Sequence, residues 1–255
     1  MKYIVHADCF DFVDSLDNDS ARLVAMDPPY FGIVKDEWDN QWRSTEEYSD
    51  WMMTLFRALK PKMTKDASLV FFGGIGKHGH RPFFNLMQRI EADGLFMYRN
   101  LITWSKRRAY GKSHDYLFCR EEIAWYSVSG ERTEVVFNIP LLDEKRGYAG
   151  FNPKYPAKSE YKRVTNVWTD IPELMRPERN AQKPVALMER IVRTHSNEGD
   201  LVVDPFCGWG TAGVAAIGLG RRFLGCEAIE VDAIAANERC CSASLGHAKD
   251  GSLTT

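Results

Sequence analysis

The chain has 255 residues, 44% of them apolar, and a formal net charge of −2. That length supports one core, alone or with a small appendage, and the apolar fraction excludes wholesale disorder. No apolar run reaches the roughly 18 residues needed to cross a bilayer, and the start, MKYIVHADCF, lacks a secretory-signal pattern, so no membrane partner is expected. Six cysteines without CxxC spacing point to a reducing compartment, the cytoplasm, where they act as small apolar residues.

Taken from the N-terminus, YIVHA (3–7) reads as a buried strand, followed by Asp8 ahead of FDFVDSL, where an Asp suits a helix N-cap. RLVAM (22–26) is a second strand, and it runs into DPPYF (27–31), where an acid, two prolines and two aromatics share one loop. Thr45 to Lys60 has helical periodicity and stops at Pro61; SLVFF (68–72) is a strand and Arg81 to Ala92 a helix. The KHGH run at 77–80 offers two histidines without spaced acids or cysteines, so no metal site is expected there. LITW (101–104) and IAWYSV (123–128) are further strands, and the segment between them gathers Lys106, Arg107, Arg108, Lys112 and Arg120 among Trp104, Tyr110 and Tyr116. Acids dominate the first 56 residues, so this basic, aromatic cluster stands out as a surface for nucleic acid.

Residues 130–180 lose the rhythm: Pro, Asn, Lys, Tyr and Gly predominate, as in a functional loop region. Helix signals return at Pro184 to His195, Ala212 to Leu219 and Ala233 to Cys241, with strands LVVD (201–204) and RFLGC (222–226) among them. Strands alternating with helices predict an α/β fold with a doubly wound, mostly parallel sheet. The last stretch, 242–255, is small and polar and reads as a flexible tail.

The segment LVVDPFCGWGTAG places a Gly-rich turn between strand and helix, and Glu227 ends the next strand, where a carboxylate can hold two ribose hydroxyls. Gly208, Gly210 and Gly213 satisfy a dinucleotide fingerprint, so a nicotinamide oxidoreductase is one reading. Against it, little chain follows Glu227, and Asp204 is an acid where a pyrophosphate site prefers neutral groups. Two acids suit a cationic nucleoside better, and a sulfonium such as S-adenosyl-L-methionine fits both.

DPPY (27–30), QKP (182–184), DPFCGWGT (204–211) and GCE (225–227), in that order, resemble the amino DNA methyltransferases of restriction–modification systems, in the arrangement with the catalytic loop before the cofactor loop. HADCF, EWD (37–39), LITWSK, REEIAWYSV and NVWTDI fall where short bacterial or phage members have comparable segments, so the likeness covers nearly the whole chain. It is nearest the compact adenine-N6 enzymes and implies a Rossmann-like S-adenosylmethionine-dependent methyltransferase fold. Residues 1–129 would form the catalytic part, 130–180 a small target-recognition region, and 181–241 the cofactor-binding part. Two departures are visible: Arg179, Asn180 and Ala181 stand where the family commonly has His-Pro-Thr, and Trp209 replaces a small residue between the glycines.

The resemblance implies that Asp27 and the Pro28 carbonyl accept the two N–H groups of a target amine, with Pro29 stiffening the loop and Tyr30 stacking on a flipped-out base. Trp104 is a candidate second wall, and equally a core residue; Phe31 belongs to the pocket rim or to packing. For the cofactor, Asp8 would lie near the adenine amine and Phe206, Gly208 and Gly210 along the methionine portion. Glu227 would take the ribose and Lys183 the methionine carboxylate or loop carbonyls, with Cys9, Asp27, Asp204, Pro205 and Thr211 in the same lining. Lys106, Arg107, Arg108 and Lys112 would meet phosphates of double-stranded DNA, keeping the protein nucleoid-associated. A homodimer and a cognate restriction nuclease are further partners compatible with the likeness. Two alternatives stay open: cytosine-N4 methylation, for which the family tends to use Ser at position 27, and a non-catalytic DNA-binding subunit of a heteromeric enzyme.

Overall fold

The computed structural model describes residues 2–32, 39–74, 81–111, 113–114, 116–146, 159–178 and 181–250, with side chains through 245. Lys112, His78, His80, Glu37 and Trp38 of EWD, the cations Lys154 and Lys158, and Arg179 and Asn180 fall outside them.

The main sheet has eight strands. In chain order they are β1 (Ile4–His6), β2 (Ala21–Met26), β3 (Met63–Gly73), β4 (Met97–Tyr110), β5 (Phe118–Ser127), β8 (Val167–Trp168), β9 (Leu201–Asp204) and β10 (Arg222–Glu227). Across the sheet the order is β1-β10-β9-β2-β3-β5-β4-β8, and β6 (Leu141–Lys145) and β7 (Tyr161–Arg163) form a separate ribbon. From β1 to β3 every pairing is parallel. Successive side chains of a strand face opposite sides, and here both sides are covered. Val24 and Met26 of β2 join Leu69 and Phe71 of β3 in one core, while Leu23 and Ala25 join Val70 and Phe72 in the other. That explains why these strands read as unbroken apolar runs.

Helices α1 (Cys9–Asp14), α2 (Thr45–Leu59) and α3 (Pro82–Ala92) supply the first core, with Phe12, Met52, Phe56 and Leu86. Helices α4 (Val185–His195), α5 (Thr211–Gly218) and α6 (Glu230–Asp250) supply the second, with Leu187, Ile191, Ala216 and Ala236. Each large apolar side chain fully buried in this way is worth about 1.5–3 kcal/mol. The crossover from β2 to β3 carries α2 over one face, and that from β9 to β10 carries α5 over the other. Because β2 and β9 are neighbours, their carboxyl ends flank the point where the winding reverses, the place where open α/β sheets bind ligands.

Three elements differ from the sequence reading. LITW and IAWYSV belong to one long hairpin, and β5 runs antiparallel to both β3 and β4. The link 111–117 is too short for the dozen or so residues that a parallel crossover needs. Val167–Trp168 extends the main sheet beside β4, and Trp168 and Ile171 are core residues, so the end of the irregular stretch is built into the fold. Finally, α6 continues past Cys241 to Asp250, because Ala243 packs on the second core and Ser244 accepts a hydrogen bond from the Tyr3 hydroxyl at 3.1 Å. The beginning of the expected tail is therefore helical.

Candidate active site

A cleft of about 910 Å³ opens at the reversal point, lined by the loops that follow β1, β2, β9 and β10 and by the approach to α4. The Gly-rich turn forms one wall. Gly208 has φ +48 and Gly210 φ +72, left-handed values that a residue with a side chain rarely adopts. A Cβ on Gly210 would also come within 3.0 Å of Ala236, so α6 seals the back of the turn. The Gly208 N–H donates to Glu227 Oε2 at 2.9 Å, and Ile229 N donates to Oε1 at 3.0 Å. These bonds fix the Glu227 carboxylate at the rim of the cleft. Pro205, Cys207, Trp209 and Thr211 line the same side, while Phe206 packs at a tilt against Trp51 of α2, with ring centres 5.9 Å apart.

Asp204 closes the floor, 4% exposed, and Phe206 N donates to its Oδ1 at 2.9 Å. Burial pushes its carboxyl up to about 8 despite that bond, with help from the negative charges of Asp27 and Glu227. Asp8 both lines the cleft and caps α1, accepting from Phe10 N at 2.8 Å; the two readings of this residue are compatible. Cys9 also lines it, and burial beside Asp8 raises its thiol to about 12, which leaves it an apolar contact rather than a nucleophile.

Asp27 leaves β2 on the opposite wall, where Pro29 also lines the cleft. The loop is pinned from below: Tyr48 of α2 donates to the Pro29 carbonyl at 2.8 Å, and Tyr30 N donates to Asp39 Oδ1 at 2.6 Å. Phe31 adopts φ +63 and turns its ring onto Tyr48, 6.0 Å away, so it packs into the core beneath the loop. Pro28 is buried, and among the described residues no donor reaches its carbonyl.

The Asp27 carboxylate does not stand alone. The Tyr30 hydroxyl donates to Oδ1, and the Lys183 ammonium donates to Oδ2 at 2.6 Å. Lys183, 7% exposed, also lies 3.2 Å from Glu121 Oε2, whose other oxygen is paired with Lys106. Strand geometry explains the meeting. Glu121 pairs across the hairpin with Trp104, and its side chain follows Ile123 onto the α4 face, as Lys106 follows Trp104. Burial raises the Asp27 carboxyl, opposed by Lys183 and assisted by Glu121. Burial would raise Glu121 as well, but Lys183 and Lys106 together hold it below the usual carboxylate range. Burial alone would lower Lys183; its two carboxylate partners reverse that, and it stays protonated.

Lys183 lines the cleft, where its ammonium reaches Asp27 and Glu121. One expected wall residue sits elsewhere. Trp104 is a core residue: it is 1% exposed, its indole donates to the Ile171 carbonyl at 2.7 Å, and it takes no part in the cleft. Lys106 is drawn to Glu121, while Arg107 and Arg108 are exposed and their backbone N–H groups both donate to Glu173, at 2.8 Å each. Two features escape sequence reasoning. Glu121 gives only the weak signal of an acid entering an apolar strand, in REEIAWYSV. The Trp209 indole donates to Glu178 at 2.9 Å, which ties the Gly-rich turn to the strand-poor segment before α4, and its carbonyl accepts from Arg239 of α6.

The cleft's donor set fits a nucleoside with a cationic centre: one carboxylate at the rim, one carboxyl on the floor, and a flat apolar wall at Phe206. A family described as DNA methylase matches residues 21–237. The chain is 30% identical over 241 residues to Type II methyltransferase M1.MboII of Moraxella bovis, covering 86% of this chain and 88% of that protein. It is 28% identical to DNA adenine methyltransferase YhdJ of Escherichia coli (strain K12), over 89% and 78%. Among solved structures, TTHA0409 from Thermus thermophilus, complexed with S-adenosyl-L-methionine, matches with a TM-score of 0.67 at 25% identity and covers 96% of each chain. PvuII DNA methyltransferase, cytosine-N4-specific, shares the fold alone, with a TM-score of 0.69 at 18% identity over 96% of this chain and 92% of that one. With its two carboxylate-bearing loops facing each other across the switch point of a doubly wound sheet, this chain belongs to the N6/N4 DNA methylase family.

Proposed function

We propose that this protein is an adenine-N6 DNA methyltransferase that uses S-adenosyl-L-methionine and acts on a base turned out of the duplex. The observation that carries the reading is the position of Asp27, in the same cleft as Asp204 and Glu227. When bound, S-adenosyl-L-methionine supplies an electrophilic methyl group on a sulfonium. Glu227 would hold its ribose, Phe206 its length, and Asp204 the cationic end.

The chain's own residues make the amine reactive. An exocyclic amine is a poor nucleophile because its lone pair is delocalised into the ring. Asp27 and the Pro28 carbonyl can accept its two N–H groups, which favours a pyramidal nitrogen with the lone pair directed at the methyl. Neither proline has an N–H that would need an acceptor, and Tyr48 and Asp39 hold the loop, so its backbone, with the Pro28 carbonyl, is preorganised. As nitrogen gains the methyl it gives up a proton, which Asp27 or water accepts. Tyr30 supplies a ring on which the flipped base stacks, compensating the few kcal/mol that unstacking costs.

Adenine is favoured over cytosine by Asp at position 27 and by the likeness to YhdJ. Arg107 and Arg108 with the β6–β7 ribbon form the surface for duplex DNA, and residues 130–180 carry target recognition. Replacing Asp27 tests the assignment. Asp27→Ala should reduce methyl transfer to background while keeping the cofactor Kd within about tenfold, since the carboxylate acts on the amine and not on the cofactor. An unfolded variant, or one that still transfers methyl groups, would remove Asp27 from the chemistry.

A further inference from the structure

Glu121 has no part in binding the cofactor or the base as described, yet it is drawn into the same charged cluster. We propose that Glu121 is a positioning residue for methyl transfer: it keeps Lys183 in place and receives the Tyr30 hydroxyl while Asp27 turns to the target amine. The inference rests on the reading of Asp27 as the amine's acceptor.

Both oxygens of Asp27 are already engaged, Oδ1 by the Tyr30 hydroxyl and Oδ2 by Lys183. Each oxygen keeps a further lone pair, but an incoming amine N–H shares the carboxylate's charge with these two donors and gains most of it when one of them moves to another acceptor. Glu121 Oε2 is the acceptor next within reach for both, 3.5 Å from the Tyr30 oxygen and 3.2 Å from the Lys183 nitrogen. Lys183 also lies 3.4 Å from the Tyr30 hydroxyl, so a small rotation exchanges the contacts without breaking the cluster. Without Glu121, the buried ammonium would have Asp27 as its carboxylate partner and would hold it back from the amine. A buried charge stripped of its partner is far costlier than one at the surface, so the cluster needs a second carboxylate when Asp27 is used. Lys106 completes the balance by pairing with the other oxygen of Glu121. Two ammoniums then face two carboxylates, whichever way Asp27 turns.

The same geometry makes Glu121 felt in the titration of Asp27. The charged and titratable groups near Asp27 are Lys183 before α4, Glu121 on β5, Lys106 on β4, Asp204 after β9, Tyr48 on α2, and Tyr30 and Asp39 of its own loop. Among them Lys183 lowers the Asp27 carboxyl and Glu121 raises it.

The test is Glu121→Gln, which keeps the shape and removes the charge. KM for DNA and cofactor should stay within about threefold while kcat falls about 10- to 100-fold, the penalty of a mispositioned acceptor. The acid limb of kcat/KM against pH should move to lower pH, and Glu121→Asp should recover part of kcat. A second readout needs no activity: carbon-13 NMR titration of the Asp27 carboxyl, assigned through Asp27→Asn, should move the same way in Glu121→Gln. A variant with wild-type kcat, or one slowed with limb and carboxyl unmoved, would overturn the proposal. Should the adenine reading fail instead, the wild-type chain would label no adenine although the Asp27 titration still responds to Glu121.

Discussion

Asp27 and Asp204 end neighbouring strands, and their surroundings give them different tasks. Asp27 is met by a buried ammonium and a phenol, one on each oxygen, which hold its carboxylate in the cleft wall. Asp204 accepts from the Phe206 backbone N–H, and its carboxyl is pushed up to about 8, mainly by burial, with the charges of Asp27 and Glu227 adding to it. A cation placed over it favours the ionised form, so binding should release a proton wherever the free site still holds one. Cofactor affinity is therefore expected to rise with pH towards about 8 and to level off above it. Calorimetry in buffers of different ionisation enthalpy should detect the proton release near pH 7, and Asp204→Asn should abolish it. A wild-type protein that binds the cofactor without releasing a proton would contradict this role. Trp209 is explained by one contact: its indole reaches Glu178, a bond that the small residue usual at this position could not make.

At the scale of elements, the helix that begins after Gln182-Lys183-Pro184 couples both ends of the site to the core. The residues leading into it deliver Lys183 to the charged cluster, and its last residue, His195, is buried against Trp125 and Phe137, with ring centres 4.7 and 5.8 Å away. Trp125 donates to Ser68 Oγ at 3.0 Å, and the same oxygen lies 3.4 Å from His195 Nδ1. Burial lowers the imidazole from its ordinary 6.5 to about 3. Above pH 6.5 neither state gains a proton, and below it the unfolded chain does while the folded one does not. Stability should therefore fall as pH drops from about 6.5 towards 3, with a limiting slope of about 1.4 kcal/mol per pH unit from this one group. Urea unfolding at pH 7 and pH 5 should show that loss, and His195→Gln, less stable at pH 7, should show less of it. An equal pH response in the two proteins would remove His195 from the account. The β4–β5 hairpin is the other coupling element. Because β5 runs back along β3, Glu121 emerges at the carboxyl edge of the parallel strands, beside Asp27.

Across the whole molecule, what sequence could reveal was what local pattern encodes. Unbroken apolar runs such as RLVAM and LVVD signalled strands covered on both faces, and the acids ending them marked the edge where the cleft lies. Gly208 and Gly210 were legible because a left-handed turn demands them. The rest depended on residues far apart in the chain. Trp104 is a core residue because Ile171 accepts its N–H, and nothing within LITW could disclose that partner. The direction of β5, the Lys183–Glu121 pair and the Trp209–Glu178 bond are likewise tertiary facts. The charge pattern has a surface counterpart in Arg107 and Arg108, which are exposed on the β4–β5 hairpin. The most direct measurement is to incubate the protein with labelled S-adenosyl-L-methionine and mixed-sequence duplex DNA, digest the product and identify the labelled nucleoside. Label in N6-methyladenine is the expected result; label in N4-methylcytosine, or none from a protein that binds the cofactor, would contradict it.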